Sequence, residues 1–231
     1  AMMSLRRDNA DAINRIGVVA RNGSGFLANS MLSIYAVPKG LLTRTELSGD
    51  ASSVAFTSIP QTYDHLEVTA YVRDDRSATS DDILMSLTPV GGSNDTTDAN
   101  YDTQLLQGAG STLTAAQSAA DRTVGNISSA NETANAFGVL TITLVNYAKT
   151  DRHKHSLSVS GRAASATGIY FRSNRWENTA AIEAITFTPS AGSNFVAGSV
   201  FSLRGVNPPA AAATDAAKVN GVAAADIKVV N

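Results

Sequence analysis

Short segments in which apolar and polar residues alternate recur along the chain, separated by polar turn residues. In residues 66–72 every second residue is apolar, and the residues between them are Glu, Thr and Tyr. Apolar residues of the other segments of this type are Val54, Phe56, Ile83, Met85, Leu87, Leu140, Ile142, Leu144, Leu157, Val159, Ile169, Phe171, Ile185, Phe187, Phe201 and Leu203. Side chains two positions apart lie on one face of a strand, so this pattern predicts half-buried antiparallel strands. About eight such strands without long amphipathic helices between them predict an all-β antiparallel sandwich of jelly-roll type.

An internal repeat indicates how the chain is organised. Residues 7–38 align with residues 176–207 without a gap, and eleven positions are identical. The identical pairs are Asn9/Asn178, Ala12/Ala181, Ile13/Ile182, Ile16/Ile185, Gly23/Gly192, Ser24/Ser193, Phe26/Phe195, Ala28/Ala197, Ser30/Ser199, Ser33/Ser202 and Val37/Val206. The repeat predicts a complete sandwich module over residues 39–207. Residues 1–38 would then carry the terminal strands of a preceding or exchanged module.

The two ends of the chain suggest assembly with other copies. An isolated pair of strands is marginally stable in water, so residues 1–38 need a partner. That partner is a preceding domain, an edge of this domain or another subunit. We expect subunit exchange or a tandem array, and therefore a homo-oligomer, with a trimer as one option. Residues 208–231 are predicted to form an alanine-rich linker followed by a short repeat of the Lys-Val-Asn-Gly type.

Residues 91–136 interrupt the alternating pattern. They are rich in Ser, Thr, Asn, Ala and Gly, with one apolar pair at Leu105-Leu106. The composition predicts a long polar loop, with a short helix as an option for residues 112–122. Loops of that length in compact domains are usually functional or disordered, so we expect a contact surface here.

Composition narrows the classes of function. The chain contains no cysteine, which excludes disulfides and thiolate chemistry. The formal net charge is −2 and the basic residues are scattered, so we expect no nucleic-acid partner. No apolar run reaches the length of a membrane span, and no secretory signal is recognisable, so we expect no membrane insertion.

Several groups of polar residues could support chemistry, but each has a simpler interpretation. Asp74, Asp75, Asp81 and Asp82 could form a calcium or acid–base site, although a solvated hairpin tip is favoured. Three further residues, Asn94, Asp95 and Asp98, match no ordered calcium-loop pattern. The pair His153 and His155 could bind zinc, but a polar strand start is favoured, and His65 is interpreted as a packed or capping histidine. We therefore predict no catalytic residue, no metal site and no cofactor.

The residues around Trp176 form the candidate binding site. Tyr170, Arg172, Arg175 and Trp176 are close in sequence, and aromatic groups beside polar donors suit flat hydroxylated ligands. The alternative is that Trp176 and Phe171 belong to the core, and that alternative is favoured.

Several separated motifs resemble a known family. They are Phe56-Thr-Ser-Ile-Pro-Gln-Thr-Tyr-Asp-His-Leu66, Asn100-Tyr101, Val145-Asn146-Tyr147, the Trp176–Ile182 segment and the Gly192–Gly205 segment. Together they resemble the β-sandwich module of tailed-bacteriophage virion structural and tail-fibre-like proteins, over about residues 40–206. An aromatic residue is frequent in the family at the position of Arg204, and residues 7–38 have Tyr35 there.

The resemblance implies a virion role without a reaction. We expect a fibre, spike or appendage component that is assembled in the host cytoplasm and contacts the host surface, where a glycan is one option for the ligand. The contact surfaces would be residues 91–136 and 170–176. The alternatives are a capsid or tail decoration protein and a carbohydrate-binding module. A polysaccharide-degrading enzyme is less favoured, because no paired carboxylates of that type stand out.

Overall fold

The structure of this protein is a computed structural model that describes residues 40–162 and 167–206 and two short strands near the C-terminus. Every regular element longer than one turn in this part of the chain is a β-strand. The strands are β1 (Gly40–Glu46), β2 (Val54–Phe56), β3 (His65–Val72), β4 (Ser80–Pro89), β5 (Tyr101–Ala109), β6 (Thr112–Ser118), β7 (Thr123–Ser128), β8 (Gly138–Val145), β9 (Lys154–Arg162), β10 (Gly168–Trp176), β11 (Ile182–Pro189), β12 (Val200–Val206), β13 (Lys218–Val219) and β14 (Val222–Ala223). One turn of 3-10 helix, Asp98–Asn100, precedes β5.

The strands form two main antiparallel sheets. The large sheet has eight strands in the order β1-β12-β3-β8-β9-β10-β5-β6, and the small sheet has four in the order β2-β11-β4-β7. Strands β13 and β14 pair with each other, as the Asn-Gly dipeptide between them predicts. The predicted all-β antiparallel sandwich is thereby confirmed.

The connectivity is that of an enlarged jelly roll. When β1, β12 and the β8–β9 pair are set aside, eight strands remain. The chain crosses from one sheet to the other after each of these strands except between β5 and β6. This order matches the double-sheet jelly roll. The β8–β9 pair is an insertion between β3 and β10, and β12 and β1 extend the sheet beyond β3.

The hydrophobic core lies between the two sheets and follows from the alternation in the sequence. In β3 and β8 every second residue is apolar and faces inward, and Leu66, Val72 and Leu140 are completely buried. Strands β4 and β11 contribute Ile83 and Ile185 from the small sheet, also completely buried. Each of these side chains contributes about 1.5–3 kcal/mol through removal of apolar surface from water, so the sandwich halves hold together without covalent links.

One half of the interior is polar, contrary to the pattern of β9. Leu157 and Val159 were expected to face the core, but Leu157 is 64% exposed. The inner face of β9 instead carries Lys154, Ser156, Ser158, Ser160 and Arg162. The inner residues of β10 and β5, among them Asn174 and Thr103, continue this polar layer. Alternation alone does not say which face is buried. Here Ser160 and Arg162 of the polar face form hydrogen bonds with Asn126 of the opposite sheet.

Residues 91–136 are a set of strands, and the prediction of a long loop is wrong. They contain β5, β6 and β7, and the segment predicted as a possible helix is β6. Strand β7 is almost entirely buried, although its sequence is Thr-Val-Gly-Asn-Ile-Ser. Gly, Ala, Ser, Asn and Gln interrupt any regular alternation in these strands, so pairing with neighbouring strands decides their conformation.

The C-terminal copy of the repeat corresponds to the end of β10, to β11 and to β12. Strand β11 lies between β2 and β4, and β12 lies between β1 and β3. The N-terminal copy, with the strands predicted for residues 1–38, lies outside the described residues, as does most of the predicted tail at 208–231. The strands of the sandwich itself run from Gly40 to Val206.

Candidate functional site

Strand β10 carries the four residues predicted as a binding platform, and the structure separates them. Tyr170, Arg172 and Trp176 point between the sheets and are 6%, 7% and 2% exposed. Arg175 lies on the opposite face of the strand, half-buried and in contact with its neighbours. Alternate residues of a strand face opposite sides, so the four side chains do not form one surface. The core interpretation describes Trp176 in this structure, whereas Phe171 is half-buried on the outer face.

Trp176 joins the polar loop before β5 to the core. Its indole ring stacks on the ring of Tyr101 with centroids 6.3 Å apart, and its Nε1–H donates to Asp95 Oδ2 at 2.8 Å. Burial opposes ionisation of Asp95, but hydrogen bonds from Trp176, from the Asn100 side chain and from the Thr97 N–H outweigh it and lower its pKa. The loop that contains Asp95 is therefore held in place by the hydrogen bonds that the Asp95 carboxylate accepts.

Arg172 and Tyr170 belong to the polar layer of the interior. The guanidinium of Arg172 is 3.8 Å from Asp82 and 3.7 Å from Asp121, one on the small sheet and one before β7. Arg162 donates to the hydroxyl of Tyr170 at 3.2 Å and to Asn126 Oδ1 at 2.7 Å. The contacts of Arg172 with Asp82 and of Arg162 with Asn126 run from the large sheet to the opposite sheet. They fix the spacing of the two sheets where apolar packing is absent.

Two buried aspartates face each other where β4 approaches the 190–194 turn. Asp81 Oδ2 accepts hydrogen bonds from the N–H groups of Ala191 and Gly192 at 2.8 and 2.9 Å, and Oδ1 accepts one from Arg76 at 2.9 Å. Asp74 is fully buried beside Asp81, and neither of its carboxyl oxygens accepts a hydrogen bond from the 190–194 turn. The favoured prediction of a solvated hairpin tip is wrong for Asp74 and Asp81, because both are at most 1% exposed.

The pKa values of the two carboxyl groups shift in opposite directions. Burial, followed by the hydrogen bond with Asp81, raises the pKa of Asp74 from 3.8 to about 7. Burial also acts against ionisation of Asp81, but the hydrogen bond from Asp74 and the two backbone N–H groups outweigh it and lower its pKa. Asp74 is thus the protonated partner at mildly acidic pH and Asp81 the ionised one, since two adjacent buried charges of one sign repel each other.

A third aspartate holds the same turn from the solvent side. Asp75 Oδ1 accepts hydrogen bonds from the N–H groups of Ser193 and Asn194 at 2.7 and 3.0 Å. The hydrogen bond from the Asn194 N–H is the largest of the effects that lower the pKa of Asp75. Gly192 has no room for a side chain, because a Cβ there would overlap Asp74 Oδ2. Asp75 and Asp81 therefore hold the 190–194 turn in place by accepting hydrogen bonds from its backbone N–H groups.

The histidines occupy positions that suit their favoured interpretations. His153 and His155 are exposed at the start of β9, on either side of the buried Lys154. The ammonium of Lys154 donates to the carbonyl oxygens of Arg152 and Thr179 at 3.0 and 2.8 Å, and burial lowers its pKa. His65 Nδ1 accepts a hydrogen bond from the Asn146 N–H at 3.1 Å, in agreement with the prediction of a capping role.

The described residues contain neither a candidate metal-binding cluster nor a candidate membrane-spanning helix. Over the described residues, no three or more His, Cys, Asp or Glu side chains are grouped so that they could bind a metal ion. The helical content of these residues includes no segment with the length and apolar character needed to cross a bilayer.

The outer face of the large sheet carries a contiguous apolar region that the sequence analysis did not identify. We call it the outer apolar face. Strand register places Val159, Phe171, Leu106 and Ala115 in one row across β9, β10, β5 and β6. A neighbouring row contains Val139, Ile169 and Leu113, with Gly161 and Gly108 between them. Leu106 is 46% and Leu113 is 74% exposed. Contiguous exposed apolar side chains of this kind are typical of interaction surfaces.

A signal for this face was present in the sequence but is ambiguous. The run Ile169-Tyr170-Phe171 has no polar residue between its apolar members, so a strand there must expose apolar groups on one side or bury both sides. Without the strand order, the two possibilities cannot be separated. Leu113 stands alone among polar residues and gives no pattern at all.

Comparison with known proteins does not identify a family for this chain. No family model matches the chain, and no curated protein matches it either. The residues and their geometry therefore carry the functional proposal.

Proposed function

We propose that this chain is a non-enzymatic structural protein of a bacteriophage virion, a component of a fibre, spike or other appendage that contacts the host surface. The motifs over residues 40–206 that resemble virion modules support this proposal. The enlarged jelly roll is compatible with it, since viral structural proteins use this fold. A fold by itself does not assign a function, so a feature specific to this chain must carry the proposal.

The observation that carries the proposal is the position of the duplicated residues in the sandwich. Ile182, Ile185 and Phe195 are completely buried, and the N-terminal copy has the same residues at the matching positions. Ser199 is also buried, and its hydroxyl donates to the carbonyl oxygen of Arg73 at 3.2 Å. Gly192, which cannot accept a side chain, is a glycine in both copies. Both copies therefore carry the residues that a strand needs to close a sandwich of this type.

One sandwich has room for only one such closing segment. In the described module, the place between β2 and β4 is filled by β11, and the place between β1 and β3 is filled by β12. The apolar residues Ile13, Ile16 and Phe26 would lose their hydrophobic burial if they stayed in water. They are suited to a sandwich other than the complete one of their own chain. A segment of this kind suits a chain that assembles with other copies or in tandem, as a component of an appendage does.

One observation favours a second candidate, a capsid or tail decoration protein. The outer apolar face and the exposed strand β6 provide a surface for a neighbouring protein subunit. A decoration protein needs only such subunit contacts, whereas an appendage also needs a surface for the host. The candidate residues for host contact that remain exposed are on the outer face, around Arg175 and the β5–β6 turn.

The two candidates place the protein at different positions on the particle. Antibodies against the full chain, applied to intact particles of the phage that produces it and visualised by immunogold electron microscopy, should label fibres or spikes. Particles treated with antibody that has been preadsorbed on the purified chain serve as the control. Label spread over the capsid shell or tail tube would support the decoration protein instead. Absence of label from both intact and disrupted particles would contradict a virion role.

A further inference from the structure

Strand β6 ends the large sheet with an open edge. It pairs only with β5 among the described residues, and all its residues from Thr112 to Gln117 are exposed. An edge strand presents a row of backbone N–H and C=O groups without strand partners, which can hydrogen-bond to another strand. Because β6 is exposed on both of its faces as well as along its edge, little of the sandwich stabilises it.

The sequence of β6 lacks the features that usually protect an edge. Natural edge strands are protected by charged residues, proline or a β-bulge. Strand β6 reads Thr-Leu-Thr-Ala-Ala-Gln-Ser, and its register with β5 is continuous from Ser118 to Thr112. The opposite edge of the same sheet, β1, carries Arg44 and Glu46 and an irregular register between Leu41 and Thr43. One edge of the large sheet is protected and the other is not.

We propose that β6 of one copy pairs antiparallel with β6 of a second copy, about a two-fold axis that passes beside Ala115. Two-fold pairing requires a strand that is complementary to itself. In this register Thr112 lies opposite Ser118, Leu113 opposite Gln117 and Thr114 opposite Ala116. No charged residue is present, so no like charges meet across the axis.

The outer apolar face explains why the partner is a second copy. On each copy the row that contains Phe171 and Leu106 ends at Ala115, at the edge of the sheet. Two-fold pairing at Ala115 joins this row to its own equivalent, so that one apolar row runs across both large sheets. An unrelated extended peptide would satisfy the backbone of β6 but would not continue the row. This interface is independent of where the protein lies on a particle, and so goes beyond the proposed function.

The small area of a β6–β6 contact is typical of weak association. Seven residues of strand extend about 24 Å. A single strand pair with its adjoining side chains falls at the small end of protein interfaces, below roughly 1,200 Å². We therefore expect a dimer that forms at micromolar concentrations and dissociates on dilution.

A cysteine at the axis provides a positional test, because the chain has no cysteine of its own. In the full chain, Ala115→Cys should form a covalent dimer under mild oxidation, since residues directly opposite in antiparallel strands have Cα atoms about 4.5–5.5 Å apart, within disulfide range. Thr43→Cys, an exposed position on the β1 edge, is the matched control. Equal rates of covalent dimer formation for the two variants, or none for Ala115→Cys, would overturn the proposal.

Charge at the same position provides an independent test. Ala115→Lys and Ala115→Glu each place two like charges across the axis, so each variant alone should dissociate with a Kd raised more than about tenfold in analytical ultracentrifugation. Mixing the two variants should restore association. Thr43→Lys should leave the Kd unchanged, and unaltered thermal unfolding of each variant shows that the fold is retained. A wild-type chain without a β6-dependent dimer, or a mixture that does not reassociate, would refute the two-fold pairing.

Discussion

At the Asp74–Asp81 contact, two side chains of the same type have opposite protonation. The difference arises from their surroundings, because the two N–H donors of the 190–194 turn bind Asp81 and not Asp74. Aspartates close in sequence are usually solvated, which is why the sequence suggested a hairpin tip. Only the approach of a turn more than a hundred residues away makes this pair part of the core.

The raised pKa of Asp74 predicts that part of the stability of the fold is lost as pH rises. The folded pKa of Asp74, about 7, is above its ordinary value of 3.8. Its contribution to stability is therefore complete below about pH 4, declines as pH rises and is lost above about pH 7. Asp74→Asn keeps an uncharged donor to Asp81, so the variant should match wild type near pH 4 and should gain on the order of 1–3 kcal/mol relative to it as pH rises to 7 and above. Urea unfolding at several pH values measures the difference.

Asp75→Asn is the matched control for this experiment and has the opposite sign. The pKa of Asp75 is lowered in the fold, so its contribution is present above about pH 4 and is lost as pH falls. Asp75→Asn should therefore be less stable than wild type at neutral pH and equal to it in acid. If the free energy of unfolding of Asp74→Asn differed from that of wild type by the same amount at every pH, the raised pKa of Asp74 would be refuted.

At the scale of single strands, the sequence predicted the orientation of a strand correctly where its apolar face is the buried one. Strands β3, β4, β8, β11 and β12 were predicted correctly, because their apolar residues alternate and face the core. In β9 the alternation is real but Leu157 faces outward. In β5, β6 and β7 small polar residues give almost no alternation, and the strands form through pairing with neighbours.

The reversed face of β9 can be tested with two leucines of similar sequence context. Leu157→Ser should change the free energy of unfolding by less than about 0.5 kcal/mol, because the side chain is on the surface. Leu140→Ala, on the neighbouring strand β8, should cost about 2–5 kcal/mol, because Leu140 is completely buried and the substitution leaves a cavity. Denaturant unfolding of both variants at a concentration below that of dimer formation checks this. Comparable losses for the two variants would show that the face of β9 is assigned incorrectly.

At the scale of the whole molecule, the described residues form one sandwich, and residues 7–38 repeat the sequence of its closing strands. Strands β11 and β12 are inserted at inner positions of the two sheets, each with a neighbour on both sides. A segment with the same buried residues is therefore suited to an inner position. This requirement predicts assembly that depends on residues 1–38, in addition to any contact at β6.

Deletion of residues 1–38 should therefore reduce the mass of the assembly in size-exclusion chromatography with light scattering. Within the full chain, Ile13→Asp should have the same effect, because its counterpart Ile182 is completely buried and a charge there is strongly unfavourable. Asn14→Asp is the control, since its counterpart is the partly exposed Glu183. If the mass is the same for all four chains, strand exchange through residues 1–38 is excluded, whereas the β6 dimer would persist.

The sequence by itself determined the all-β class and most strands of the apolar core, and it contains the repeat of residues 176–207 at residues 7–38. These features are local or repeated along the chain, so they can be recognised from alternation and identity without knowledge of neighbours. Tertiary structure decided the strand order, the polar half of the interior and the outer apolar face. It also decided the burial of Tyr170, Arg172 and Trp176 and the contact between Asp74 and Asp81. Each of these depends on which strands become neighbours and in which register, and those partners are distant in sequence.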